Sequence, residues 1–146
     1  MKKLVVLLSS GAILALVAAA FAVGAVRETH TLSGKLTAKG EVPKAKAPAG
    51  ATGTFNATLT GRKLKWKLTF SHLSGPALAA HIHKGGSTVS GPVIVPLCGP
   101  CHSGQAGTMR LPSDVADVIE KSKVYVNVHT AKNKGGEIRS QLKVTE

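Results

Sequence analysis

From residue 30 onward, apolar and polar positions alternate with a period of two. Ala51, Gly53, Phe55, Ala57 and Leu59 interleave with Thr52, Thr54, Asn56, Thr58 and Thr60. After Gly61-Arg62, the positions Leu64, Trp66, Leu68 and Phe70 interleave with Lys63, Lys65, Lys67 and Thr69. Successive side chains of a strand point to opposite faces, so each run predicts a strand with one buried face, and the two together predict a β-hairpin. Leu32, Gly34, Leu36 and Ala38 predict an earlier strand, and the stretches 78–83, 93–97, 107–111, 124–130 and 138–144 predict five more. The one helical pattern is Ser113–Lys121, with Ser113 as N-cap, Asp114 in the first turn, and Val115, Val118 and Ile119 on one side. About eight short strands and one short helix near 113–121 predict an all-β sandwich or flattened barrel. The segment Lys44 to Gly50 reads as a loop between the first two strands.

The first 25 residues follow another pattern. Met1-Lys2-Lys3 is a positive start, Leu4 to Val17 an apolar run, and Ala18 to Ala25 a small-residue stretch. This order predicts a secretory signal peptide over 1–25, cleaved after Ala22 or Ala25. An uncleaved anchor is the alternative, because an apolar run of about 20 residues approaches the spanning length. Either way the β domain, residues 30–146, is expected outside the cytoplasm, secreted or in the cell envelope, with no stable membrane span once the leader is cut.

Composition narrows the partners. The chain has 146 residues, enough for one domain, and its 43% hydrophobic content excludes a wholly disordered chain. With 19 Lys+Arg against 7 Asp+Glu the formal charge is +12, and loss of Lys2 and Lys3 with the leader leaves +10. Export removes nucleic acid as the expected partner and leaves anionic envelope polymers, headgroups or a protein partner. Lys63, Lys65 and Lys67 form a stripe at strand spacing, either a binding ridge or the solvated face or guarded edge of a strand.

The candidate chemistry is histidine chemistry. In Ala79-Ala-His-Ile-His-Lys-Gly85, His81 and His83 project from one face while Leu78, Ala80 and Ile82 face the other way. In Val124-Tyr-Val-Asn-Val-His-Thr130, the valines mark the core face and put Tyr125, Asn127 and His129 outward. If the two strands are neighbours, three imidazoles converge on the outer wall, and imidazole nitrogens suit copper and zinc. His102, in a later loop, is a candidate fourth ligand. His30, near the mature terminus, is a weaker candidate, and His72, at the start of a turn over 71–76, reads as an ordinary loop histidine. No Ser/His/Asp hydrolase motif, phosphate-cradling Gly loop or paired-carboxylate signature is present, so no catalytic residue is assigned.

These motifs, with Gly40-Glu-Val-Pro43, Gly91-Pro-Val-Ile-Val95 and Gly135-Gly-Glu-Ile-Arg-Ser-Gln-Leu142, resemble the chordin-type (CHRD) domain over roughly residues 30 to 144. The resemblance implies an immunoglobulin-like Greek-key sandwich or barrel similar to Cu/Zn superoxide dismutase. It belongs to a family found alone in bacterial exported proteins and repeated in chordin, an extracellular antagonist of bone morphogenetic proteins. It further implies copper rather than zinc on His81, His83 and His129, and it makes Arg139 similar to an arginine that guides an anion to copper. The departures are the missing zinc loop, the missing bridging histidine and the absence of a Cys in the last strand. They favour copper binding over dismutation.

Cys98-Gly-Pro-Cys101-His102 fits three templates: a local disulfide, a thioredoxin-like pair, and a c-type haem attachment site. Export favours the disulfide. Ser103-Gly-Gln-Ala-Gly107 does not open the helix a thioredoxin pair needs. Phe55, Trp66, Phe70 and Tyr125 are the only aromatics after the leader, too few for a haem pocket.

Overall fold

A computed structural model describes residues 27–146; the leader and its cleavage points lie outside the described residues. In chain order the strands are β1 (Thr29–Thr37), β2 (Thr52–Thr60), β3 (Lys63–Ser71), β4 (Ala77–Lys84), β5 (Val93–Cys98), β6 (Ala106–Arg110), β7 (Val124–Thr130), β8 (Ile138–Gln141) and β9 (Lys143–Thr145). Helix α1 (Ser113–Lys121) connects β6 to β7, and a 3-10 turn at Ala38–Gly40 follows β1. The strands run in the order β5-β4-β7-β8-β1-β2-β3-β6, with β9 also on β1. All the pairings are antiparallel, and the sheet curls into a nearly closed, flattened barrel.

The barrel has two walls. One is β9-β1-β2-β3-β6 and the other β5-β4-β7-β8, and they join where Thr37 pairs with Arg139. Leu32, Phe55, Leu64 and Leu68 from the first wall and Ile82, Val126, Val128 and Ile138 from the second share one largely aliphatic core. Each of these side chains is fully buried, worth roughly 1.5–3 kcal/mol apiece in transfer free energy. Trp66 stands opposite Gly107 of β6, and a Cβ at 107 would come within 2.7 Å of the indole, so the ring lies where a side chain would otherwise be.

The hairpin forms as the alternation requires, with Ala57 opposite Trp66 and Asn56 opposite Lys67. Four details differ from the sequence reading. The run 138–144 is two strands: β8 follows β7 as far as Gln141, then Leu142 turns inward and Lys143 takes up pairing with Ser33 of β1. The count is therefore nine strands rather than eight. Leu78 is 49% exposed, because a register shift between Ala77 and Ala79 rotates the chain and gives the core position to Ala77. The cap of α1 falls on Pro112, with no side-chain capping bond, and Ser113 is already helical. Ala38 leaves the strand for the 3-10 turn. No helix among the described residues is long and apolar enough to cross a membrane.

Candidate metal centre

The register of β4 on β7 sets His81 opposite Asn127, His83 opposite Tyr125 and Ala79 opposite His129. His81 and His129 are therefore diagonal neighbours on one face, within reach of each other's rings. Their ligand nitrogens and that of His83 all lie within 4.8 Å of one another, and the three form the one such group among the described residues. His81 Nδ1 is 3.1 Å from His129 Nε2. His83 stacks on Tyr125, with ring centroids 4.7 Å apart.

Backbone carbonyls fix two of the three rings. His83 Nδ1–H donates to Gly91 O at 2.9 Å, and His129 Nδ1–H donates to Lys134 O at 2.9 Å. A proton held on Nδ1 leaves the lone pair on Nε2, which is how outer carbonyls orient ligating imidazoles. His83 Nε2 is buried and has no hydrogen-bond partner among the described residues. His129 Nε2 accepts from His81 Nδ1–H, so an incoming ion must shift that proton to the far nitrogen of His81. Metal–nitrogen bonds of about 2.0–2.1 Å hold ligand nitrogens at most about 4.2 Å apart, so the widest gap needs to close by roughly half an ångström.

The three rings are held neutral. Burial pushes His81 down to about 4, helped by the nearby His129 and His83. Burial also lowers His83, against the raising effects of the Gly91 carbonyl and Asn127. His129 is lowered by burial and by His83, against the Lys134 carbonyl. Neutral imidazole is the ligating form, so protons do not compete at neutral pH.

The face is the outward one of its wall, as the parity predicts, but part of it is covered. Tyr125 is 1% and Asn127 2% exposed. The β4–β5 loop folds back over them, with Gly91 N–H donating to Tyr125 Oη at 3.0 Å. Gly91 has to be glycine, since a Cβ there would overlap the Lys84 carbonyl. Gln141 Nε2 donates to Gly85 O at 3.1 Å, and Arg139 Nη2 donates to Gly86 O and Val89 O at 2.7 and 2.9 Å. The guanidinium carbon of Arg139 lies 3.4 Å over the Tyr125 ring, and the residue is 2% exposed. An anion guide must meet solvent, and Arg139 instead pins the loop over the site. Glu41, 2% exposed, lies beneath; burial raises its carboxyl to about 7 against the pull of Arg139.

A second buried carboxylate secures the other side. Glu137, wholly buried, accepts from Ser74 N–H at 2.6 Å, Asn133 Nδ2 at 2.9 Å, and the hydroxyls of Ser74 and Thr130. Burial alone would raise its carboxyl, but these donors together lower it. Asn133 also bonds Lys46 through both backbone groups, so the loop that supplies the Lys134 carbonyl is fixed at its base. The sequence reading assigned no role to Glu41, Glu137, Asn127 or Tyr125. The available signal was that Tyr125 and Asn127 share the parity of His129.

The remaining predicted residues fall elsewhere. His102 is not part of the three-histidine group; it is exposed and lines a cavity of about 390 Å³ with His72, Phe70 and Pro100. His72 occupies the left-handed region, φ 57°, and His30 is buried beside Glu28 and Glu120. Cys98 and Cys101 are bonded as a disulfide at the end of β5, so their sulfurs hold each other.

Fold and site together define an all-β domain built around a three-histidine candidate metal centre. The family model for the CHRD domain matches residues 32–142, and the chain belongs to the CHRD domain family. CHRD domains are extracellular-type, and the disulfide accords with an oxidising setting. No curated protein and no solved structure matches the chain.

Proposed function

We propose that this CHRD domain is exported by its N-terminal leader and binds one copper ion through His81 Nδ1, His83 Nε2 and His129 Nε2, with water completing the coordination. One observation carries the reading: three neutral imidazoles meet within 4.8 Å while two already donate their other N–H to fixed carbonyls. An all-imidazole set suits several first-row ions, and copper(II) heads the affinity order among the divalent ones. The resemblance to the copper half of Cu/Zn superoxide dismutase points the same way. The burial of Arg139 favours holding the metal over processing an anion. The expected role is therefore copper handling in the envelope or outside the cell.

Titration of the purified mature chain with Cu(I), Cu(II) and Zn(II) tests it. One equivalent of copper should bind, and His81→Ala with His83→Ala should abolish uptake while the far-UV spectrum stays that of the parent. No stoichiometric copper uptake, or uptake unchanged in the double variant, overturns the reading; tighter zinc than copper binding overturns the choice of metal.

A further inference from the structure

The outward face of the β9-β1-β2-β3-β6 wall is a second surface, separate from the histidines. The register sets Lys63 between Thr60 and Arg110, Lys65 between Thr58 and Thr108, and Lys67 between Asn56 and Ala106. Lys143 stands opposite Ser33, and Lys35 opposite Thr54. These six cations are exposed, and none of the outward positions on the five strands carries an acid.

The acids are elsewhere. Glu41 and Glu137 are buried, Asp114, Asp117 and Glu120 sit on α1, and Glu28 and Glu146 lie just beyond the outer ends of β1 and β9. Among the described residues the ion pairs involve only His30 and Lys121, so the charge of this face is uncompensated. Edge protection does not account for it either. Lysines guard free edges, but β3 is paired on both sides, by β2 and β6.

The chemistry of the face narrows the partner. Lysines two apart on a strand stand about 6.8 Å from each other, a spacing that a repeating anion can follow and a single small ion cannot bridge. Thr and Asn side chains fill the rows between them, and two shallow depressions, of about 300 and 350 Å³, carry Lys65 and Lys67 or Lys35 with threonines at their rims and Trp66 or Phe70 among their lining. Phe55, Trp66 and Leu68 are buried and Phe70 is half-buried, so no exposed aromatic stands among the lysines to insert into lipid or stack on a base. Ammonium groups act as compact point charges for phosphate, and hydroxyls donate to its oxygens.

We propose that this face binds a linear phosphate polymer without bases or acyl chains, laid along β3. The site is independent of the histidine centre. The test uses inorganic polyphosphate as probe and the mature chain as protein. Binding should fall at least tenfold in the triple variant Lys63→Gln, Lys65→Gln, Lys67→Gln, and should be unchanged in Lys39→Gln, Lys44→Gln, Lys46→Gln, which removes the same charge from loops off the face. With about five phosphates engaged, raising salt from 50 to 200 mM should weaken binding roughly 100-fold. His81→Ala with His83→Ala should leave polyphosphate binding intact even where copper uptake is lost. Equal losses in the two lysine triples would reduce the effect to net charge and overturn the proposal. So would stronger binding, through the same three lysines, to phosphatidylglycerol vesicles or to a single-stranded oligonucleotide.

Discussion

The two walls of the barrel share a two-residue period, but their second faces differ. In β1, β2 and β3 the residues between core positions are Thr, Ser, Asn and Lys, and they stand in water. In β4, β7 and β8 the corresponding residues are His81, His83, Tyr125, Asn127, His129 and Arg139, and most of them are covered by the β4–β5 loop. A lysine ammonium is cheap in water and costly when buried. Imidazole, phenol, amide and a stacked guanidinium can be buried when each finds partners. The same strand geometry thus gives one wall a solvated cationic face and the other a second, polar interior. That polar interior holds rings neutral and fixed, which a metal centre requires and an open face does not provide.

The sharpest way to break this contrast is to remove the cation from the buried side. Arg139→Ala takes away the stack on Tyr125 and two carbonyl bonds and leaves Glu41 without its neighbouring charge. It should cost about 3–5 kcal/mol in chemical denaturation. A smaller effect is expected from Gly91→Ala, which displaces the carbonyl that orients His83. Copper affinity should drop about 10- to 100-fold, as for other outer-sphere changes, with the fold retained by circular dichroism.

pH separates two of the groups that burial shifts, His81 and Glu41. His81 is lowered from 6.5 to about 4, so the folded chain binds fewer protons there and its stability rises with pH across that window. Glu41 is raised from 4.5 to about 7, so it gives stability below 4.5 that is lost as pH rises toward 7. Between 4.5 and 6.5 the two slopes oppose each other in the metal-free protein. Glu41→Gln should therefore make the thermal midpoint climb more steeply with pH than in the parent; an identical profile would remove Glu41 from the account. Smallest of all, Lys65→Ala on the open wall should leave the midpoint unchanged.

Much of this was legible along the chain. The alternation at 51–60 and 63–70 carries the hairpin, and the parity of His81, His83 and His129 places three imidazoles on one face. Their convergence still depended on β4 lying beside β7, strands 40 residues apart whose pairing no local pattern states. The partner switch at Leu142 and the register shift at Ala77 were equally silent, because a period of two cannot show where a strand changes neighbour. His102, close in sequence to the cysteines and plausible as a ligand, went instead to the cavity it shares with His72.

By itself the sequence determined the all-β class, the aliphatic core, the CHRD resemblance and which face each histidine takes, since these follow from side-chain period and local composition. The tertiary structure alone decided that this outward face is an interior. Burial there comes from a loop held by Arg139, Tyr125 and Gln141 across long stretches of chain, and the carbonyls of Gly91 and Lys134 reach the rings only once that loop and the Glu137 network are in place. Long-range closure of this kind leaves no periodic trace, because the groups that make it are distant in sequence and include backbone atoms that every residue carries.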